Sequence, residues 1–243
     1  MQPTAQTLYE VIEATWPAAR TLRVGNWTIR DGQGGGSRVS SATLAVGQAS
    51  ASDIAEAESA MAALGQPKLF MIRDGDDALD TALEGLGYVI KDPVTLYAAR
   101  LSDIAKPDVP TANAYDIWPP LAVQLEIWEE GGIGPARIQV MERSESVKTS
   151  LFGRIEDHPA ATGYVAIHQD VAMLHALETK PEHRRKGLAR YMVYAMAQWA
   201  QIQGAAFLSL VTTRENLPAN ALYTSMGFQP VGQYHYRIHP EAS

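Results

Sequence analysis

The sequence predicts an α/β protein built as two similar halves, and three observations carry that prediction. Short apolar runs of strand length alternate with longer stretches rich in helix formers. Two segments also run in step. Gly65, Leu69-Phe70-Met71-Ile72, a helical stretch and Leu86-Gly87-Tyr88 match Gly204, Phe207-Leu208-Ser209-Leu210, a helical stretch and Met226-Gly227-Phe228. Between them, Ala105–Ala114 holds Pro107, Pro110 and little apolar material, and reads as a linker. The expected division is 1–104, linker 105–114, and 115–243.

Taken in order, residues 5–20 read as a helix with Leu8, Val11, Ile12 and Ala19 on its apolar side, interrupted at Pro17. Trp27–Arg30 and Val39–Leu44 read as strands, joined by Asp31–Gly36 as a hairpin loop. The glycines there resemble a phosphate loop, but the expected partner is a strand, not the helix that such a site requires. Ala51–Leu64 reads as a helix capped by Ser52 or Asp53 and closed by Gly65. A strand at Leu69–Arg73, a helix at Asp76–Leu86 and a long strand over Tyr88–Leu101 complete this half. In the second half, Leu121–Glu130 and Ala136–Arg143 read as helices broken by Gly131, Gly132, Gly134 and Pro135. Val147–Ile155 and Ala161–Ile167 read as antiparallel strands about an Asp157-His158-Pro159 turn. A long helix, a strand at Ala206–Thr212, a helix over Leu217–Met226 and a bent strand or strand pair to Ile238 follow.

Composition narrows the function. Hydrophobic residues make up 46% of the 243, enough for a sizeable core. No apolar run approaches the roughly 20 residues of a membrane span. The Met1-Gln2-Pro3-Thr4 start lacks the basic segment and apolar core of a secretory signal. There is no cysteine, which removes disulfides, thiolate nucleophiles and Cys–zinc sites. The expectation is a cytoplasmic protein without a membrane partner. A net charge of −7 disfavours nucleic acid. His158, His168, His175 and His183 show no metal-ligand spacing, so no metal is expected. Ser209 has no His–Asp partner in local sequence.

Against this acidic background, Lys180, Arg184, Arg185, Lys186 and Arg190 crowd into one stretch. Leu177–Ala189 reads as a strand end, a basic turn and a helix start. Pro181 stops the strand, and Gly187 opens a run without Pro or internal Gly over Leu188–Gln203. Free N–H groups at a helix start, a glycine permitting close approach and three cations make a pyrophosphate cradle. The turn at the matching place in the first half, Gly47–Ser52, carries no Arg or Lys.

Arg184-Arg185-Lys186-Gly187-Leu188-Ala189 resembles the pyrophosphate loop of the GNAT acetyltransferase superfamily. Asn216, Asn220-Ala221-Leu222-Tyr223 and Met226-Gly227-Phe228 resemble that family's second signature in order and spacing. The clear match covers roughly residues 145–238. The resemblance implies a GNAT fold, with a mixed, mostly antiparallel sheet flanked by helices. It also implies tandem copies, of which the first is degenerate. The implied activity is acetyl transfer from acetyl-CoA to a primary amine, in a small molecule or a peptide, by direct attack within a ternary complex, by a monomer or homodimer. A non-catalytic acyl-CoA-binding protein and a protein N-terminal or lysine acetyltransferase remain alternatives. Leu177 and Thr179 would offer main-chain contacts, and Arg184, Arg185, Lys186, Gly187, Leu188 and Ala189 would hold the pyrophosphate. Asn216 and Asn220 would lie along the coenzyme. Tyr223 would protonate the departing thiolate, a role that suits a phenol with pKa of about 10. The strand position at which some family members place a basic glutamate is Val211 here, so Glu178 is the candidate general base. The alternatives for Glu178 are an ion pair with Arg184 or Lys180, or a water relay in its place. Glu126, Trp128, Glu129 and Glu130 sit on the helix that in this family borders the acceptor. They suit a cationic amine, or simply a solvated face with a packed Trp.

Overall fold

The computed structural model describes residues 2–45 and 47–240. In chain order the first half holds α1 (Ala5–Thr15), β1 (Arg20–Val24), β2 (Trp27–Asp31), α2 (Ser37–Ser40), β3 (Ala42–Leu44), α3 (Ala51–Ala63), β4 (Leu69–Arg73), α4 (Asp77–Gly85) and β5 (Val89–Arg100). The second holds β6 (Ala112–Ile117), α5 (Ala122–Glu130), α6 (Pro135–Arg143), β7 (Val147–Ile155), β8 (His158–His168), β9 (Val171–Thr179), α7 (Leu188–Ile202), β10 (Phe207–Thr213), α8 (Leu217–Ser225) and β11 (Gln229–Ile238). No described helix is long and apolar enough to cross a membrane.

The eleven strands of the described residues join one mixed, mostly antiparallel sheet in the order β1-β2-β3-β4-β11-β5-β10-β9-β8-β7-β6. Its two parallel pairs are β3 with β4 and β9 with β10. The centre is made by exchange. β11, which follows α8, lies between β4 and β5; β5, which follows α4, lies between β10 and β11. Period-two alternation sends Val171 and Met173 to one face and Ala172 and Leu174 to the other. The first face packs on α1 through Leu8, Val11 and Ile12. The second packs on α7 through Met192, Val193 and Met196, and α3 and α4 cover the same side of the first half through Ile54, Met61 and Leu83.

The two segments that match in sequence close alike. Gly87 and Gly227 both take left-handed backbone, with φ of 86° and 88°. The Tyr88 N–H donates to Leu83 O at 3.0 Å and the Phe228 N–H to Tyr223 O at 3.1 Å.

Three expectations need correction. Asp31–Gly36 is only part of the connection between the paired antiparallel strands β2 and β3: it leads into the short helix α2, which takes up the start of the expected Val39–Leu44 strand, and a second hairpin, β1–β2, precedes it. The reason is long-range packing. A side chain on Gly35 would meet Val140 of α6 at 2.5 Å, so the loop is pressed onto the second half. The cap of α3 is Ser50, whose hydroxyl accepts from the Asp53 N–H at 3.3 Å while Asp53 Oδ2 accepts from the Ser50 N–H at 2.8 Å. The β7–β8 turn falls one residue earlier than expected, on Glu156 and Asp157, with φ of 48° and 65°.

Candidate active site

β9 and β10 pair only through Val171–Met173 with Phe207–Ser209, and beyond those residues the two strands part. The departure has a local cause. A bulge in β9 places Ala176 at φ 52°, with the register against β8 slipping between His175 and Glu178. The Trp128 indole N–H donates to Ala176 O at 2.7 Å and pins the bulge. Trp128 is fully buried, so it acts as a packed strut and not as an acceptor wall. Glu130 faces Lys180 at 3.6 Å. Leu177 sits at the bulge, half-buried beside the opened strand edge.

The basic turn lies at the mouth of this wedge. Gly187 is left-handed at φ 81°, ahead of the first residue of α7, and no side chain caps that helix. The N–H groups of the first turn at Leu188 and Ala189 are therefore free in the way any uncapped helix start leaves them. Arg185 and Lys186 are exposed and have no carboxylate partner among the described residues. Arg184 is differently employed. Its Nε donates to Thr179 O at 2.9 Å and its Nη2 to Glu178 Oε1 at 3.0 Å. Glu178 Oε1 also accepts from the Thr179 N–H at 3.2 Å. Its side chain lies against Gly131, where an added Cβ would sit 2.8 Å from Oε2. Of the alternatives open for Glu178, the ion pair with Arg184 is formed. His183 Nδ1 is buried beside this turn with no hydrogen-bond partner among the described residues.

α8 supplies the second block. Asn216 caps it, its Oδ1 accepting from the Ala219 N–H at 3.2 Å. The Asn220 side chain is spent internally. Its Nδ2 donates to Thr213 O at 2.9 Å and Asn216 O at 2.8 Å, and its Oδ1 accepts from the Tyr97 hydroxyl at 2.9 Å. Tyr97 comes from β5, so this bond fastens the exchanged strand to α8. The Tyr223 ring packs on Phe228 and Tyr97 at centroid distances of 5.8 and 6.4 Å. Its hydroxyl has no partner among the described residues, yet keeps access to solvent. Burial pushes the phenol up to about 12, so it is a proton donor across the physiological range.

The first half does not repeat this arrangement. Ser50 and Asp53 close the start of α3 on themselves. Leu83 stands where Tyr223 stands, as the matched closing bonds show. Arg30 is buried beside β3, donating to Ser41 O and Thr43 Oγ1, both at 3.1 Å.

On the α1 face a cleft of about 260 Å³ opens between the halves beside the same wedge. Its lining includes Ala176 and Val211–Thr213, with Trp16, Gly35–Arg38, Asp92, Arg137, Tyr234 and Tyr236. Sequence reasoning missed the residues from the first half and from β11, because nothing local signals which surface they will meet. His175 is buried behind the cleft. Its Nε2 lies 2.9 Å from Thr15 Oγ1 and its Nδ1 3.1 Å from Arg38 Nη1. Burial first, and Arg38 second, hold its pKa well below the usual value. The neutral ring therefore accepts from Arg38 at Nδ1 and donates from Nε2 to Thr15.

The splayed parallel strand pair, the uncapped basic start of α7 and the buried phenol of Tyr223 all fall within the part of the chain that a family model matches. The family model "Acetyltransferase (GNAT) family" matches residues 111–228, and that part of the chain belongs to the family. The chain is similar to "Uncharacterized N-acetyltransferase YobR" of Bacillus subtilis (strain 168), at 27% identity over 93% of this chain and 94% of that protein. Among solved structures it superposes on a GCN5-related N-acetyltransferase from Kribbella flavida with a TM-score of 0.73. That match has 18% identity and covers 99% of this chain and 96% of the other. A tandem GNAT protein from the clavulanic acid biosynthesis pathway gives 0.63 at 14% identity, over 81% and 74%. At these identities the structures establish the fold.

Proposed function

We propose that this chain transfers an acetyl group from acetyl-CoA to a primary amine by direct attack in a ternary complex, at one site in the second half. The observation that carries the reading is the conjunction of the β9–β10 splay with the uncapped, cationic start of α7. Acetyl-CoA, when bound, supplies the acetyl thioester. The residues present fit it: Arg185, Lys186 and the first-turn N–H groups of α7 face the position of a pyrophosphate. The opened edge at Leu177 offers main-chain groups to an amide-rich arm. Tyr223 donates its proton to the departing thiolate. Glu178 Oε1 is committed to Arg184, so Oε2, beside Gly131, is the oxygen that takes a proton from the substrate ammonium before the free amine attacks. The second proton, shed by nitrogen as the amide forms, returns the Tyr223 phenolate to the phenol. Thr179 and Arg184 act together as a brace for the strand end, and Asn220 as a brace for α8.

On this reading the first half is a degenerate copy that serves as scaffold. The same reading places the protein in the cytoplasm, where acetyl-CoA is available. The test is thiol release from acetyl-CoA with a panel of amines, in wild type and in Tyr223→Phe. Amine-dependent release that falls about 10²- to 10⁴-fold in the variant supports it. Full turnover by Tyr223→Phe removes the phenol as the acid, and absence of release with every amine rejects the transferase reading.

A further inference from the structure

Resting on that reading, we infer that the acceptor is a small amine that also carries an anionic group, held through Arg38 and Arg137 in the cleft between the halves. The cleft's charged lining is Arg38, Arg137 and Asp92. Neither arginine has a carboxylate partner among the described residues, whereas Arg20, Arg30, Arg73, Arg154, Arg184 and Arg237 all do.

Arg38 is nevertheless held in place. Its guanidinium lies 5.5 Å from the Trp16 ring centroid and donates to the neutral His175. Aromatic and imidazole contacts fix the plane without neutralising the charge, leaving donors in a rigid fork that matches a carboxylate or phosphate. Arg137 comes from α6 to the same place: a Cβ on Gly36 would lie 3.6 Å from its Nε and 3.7 Å from its Nη2. The glycine loop explains the convergence. With Gly35 pressed on Val140 and Gly36 at φ 101°, the loop delivers Arg38 from one half against Arg137 from the other. A side chain at Gly35 would push the halves apart, and one at Gly36 would be strained at that φ.

Asp92 supplies the opposite charge. It sits at φ 47° in β5, where the register against β11 breaks between Tyr234 and Tyr236. Arg38, Asp92 and the buried Tyr236 line the same cleft. An anion toward the arginines, with Asp92 offsetting their charge for the amine that Glu178 deprotonates, describes one zwitterionic molecule. About 260 Å³ suits a molecule of amino-acid size. A polyamine leaves both guanidinium groups facing like charge.

The experiment compares matched acceptors: common amino acids, their carboxamides, their decarboxylated amines, and phosphoethanolamine. Binding of each to the acetyl-CoA-loaded protein is followed by ligand-observed NMR, and turnover by thiol release. Wild type is expected to prefer the anionic member of a pair by about 10- to 100-fold, the worth of charge-assisted hydrogen bonds. Arg137→Gln, at an exposed position, is expected to erase most of that preference through KM, with the acetyl-CoA Kd unchanged. Arg38→Lys should retain more of it than Arg38→Gln. Preference for amino acids identifies a carboxylate, and preference for phosphoethanolamine a phosphate; both support the anion site. Equal use of acids and amides, preference for polyamines, or equal losses on all acceptors in the arginine variants overturns it. If nothing turns over, the transferase reading fails while the NMR preference still judges the anion site.

Discussion

Replacing Gly187 by alanine separates what the loop does for folding from what it does for the coenzyme. Gly187 sits at φ 81° immediately before α7, and an added Cβ would approach Val109 Cγ2 to 2.9 Å. The left-handed backbone alone costs an L-residue about 1–2 kcal/mol. A protein of this size loses about 2–4 °C of Tm per kcal/mol, so Gly187→Ala should melt about 2–8 °C lower. Relaxing that strain turns the N–H groups of Gly187 and Leu188 away from a common anion. One charge-assisted hydrogen bond lost at the pyrophosphate is worth about 1.5–3 kcal/mol, or roughly 10- to 100-fold in acetyl-CoA affinity. Adding Val109→Ala removes the close contact but not the φ, so it should restore part of the Tm and little of the affinity. Calorimetric titration with acetyl-CoA and thermal melts on the three proteins read both quantities. A Tm that falls as expected beside an unchanged Kd would refute the loop assignment and leave Gly187 a purely structural residue.

Tyr223→Phe should leave the acetyl-CoA Kd unchanged while lowering kcat. Because burial pushes the phenol up to about 12, the wild-type rate should show no alkaline loss from Tyr223 below about pH 11. Trp128→Phe leaves the Ala176 carbonyl without its donor, at a cost of about 1–3 kcal/mol; urea unfolding should show that loss together with a lower kcat, since the bulge opens the strands. His175 is held well below its usual pKa. The unfolded chain therefore binds a proton below about pH 6.5 that the folded chain does not, so stability rises with pH up to that value and falls on acidification. Denaturant midpoints against pH should show a shallower acid limb in His175→Gln; an unchanged limb means the imidazole charges freely in the fold.

Local chemistry was legible. Gly65, Gly87, Gly204 and Gly227 end their helices as glycine punctuation predicts, and the basic turn does open α7. The resemblance also marks Leu177 and Thr179 for main-chain contacts, and both lie beyond the point where β9 and β10 stop pairing. What escaped depends on contacts between distant residues. The β2–β3 connection reads from the sequence as a short hairpin loop, without the α2 turn that extends it or the contact of Gly35 with Val140 of α6. Of the two readings open for Trp128, an acceptor wall or a packed Trp, its position under the Ala176 bulge, which no local pattern signals, decides for the second. Nothing near Asn220 signals that Tyr97 will arrive on an exchanged strand to occupy its side chain. Arg38 and Arg137 are 99 positions apart in the sequence and meet only because the glycine loop crosses to the other half.

The central claim is one acetyl-CoA site per chain, built at the start of α7. The measurement that bears on it most directly is the stoichiometry of acetyl-CoA binding by calorimetry, in wild type and in Gly187→Asp, which places a carboxylate where the pyrophosphate would lie. The predicted result is one molecule per chain, abolished by the substitution while the fold persists by circular dichroism. Two equivalents per chain, or unchanged binding in a folded Gly187→Asp, would contradict it.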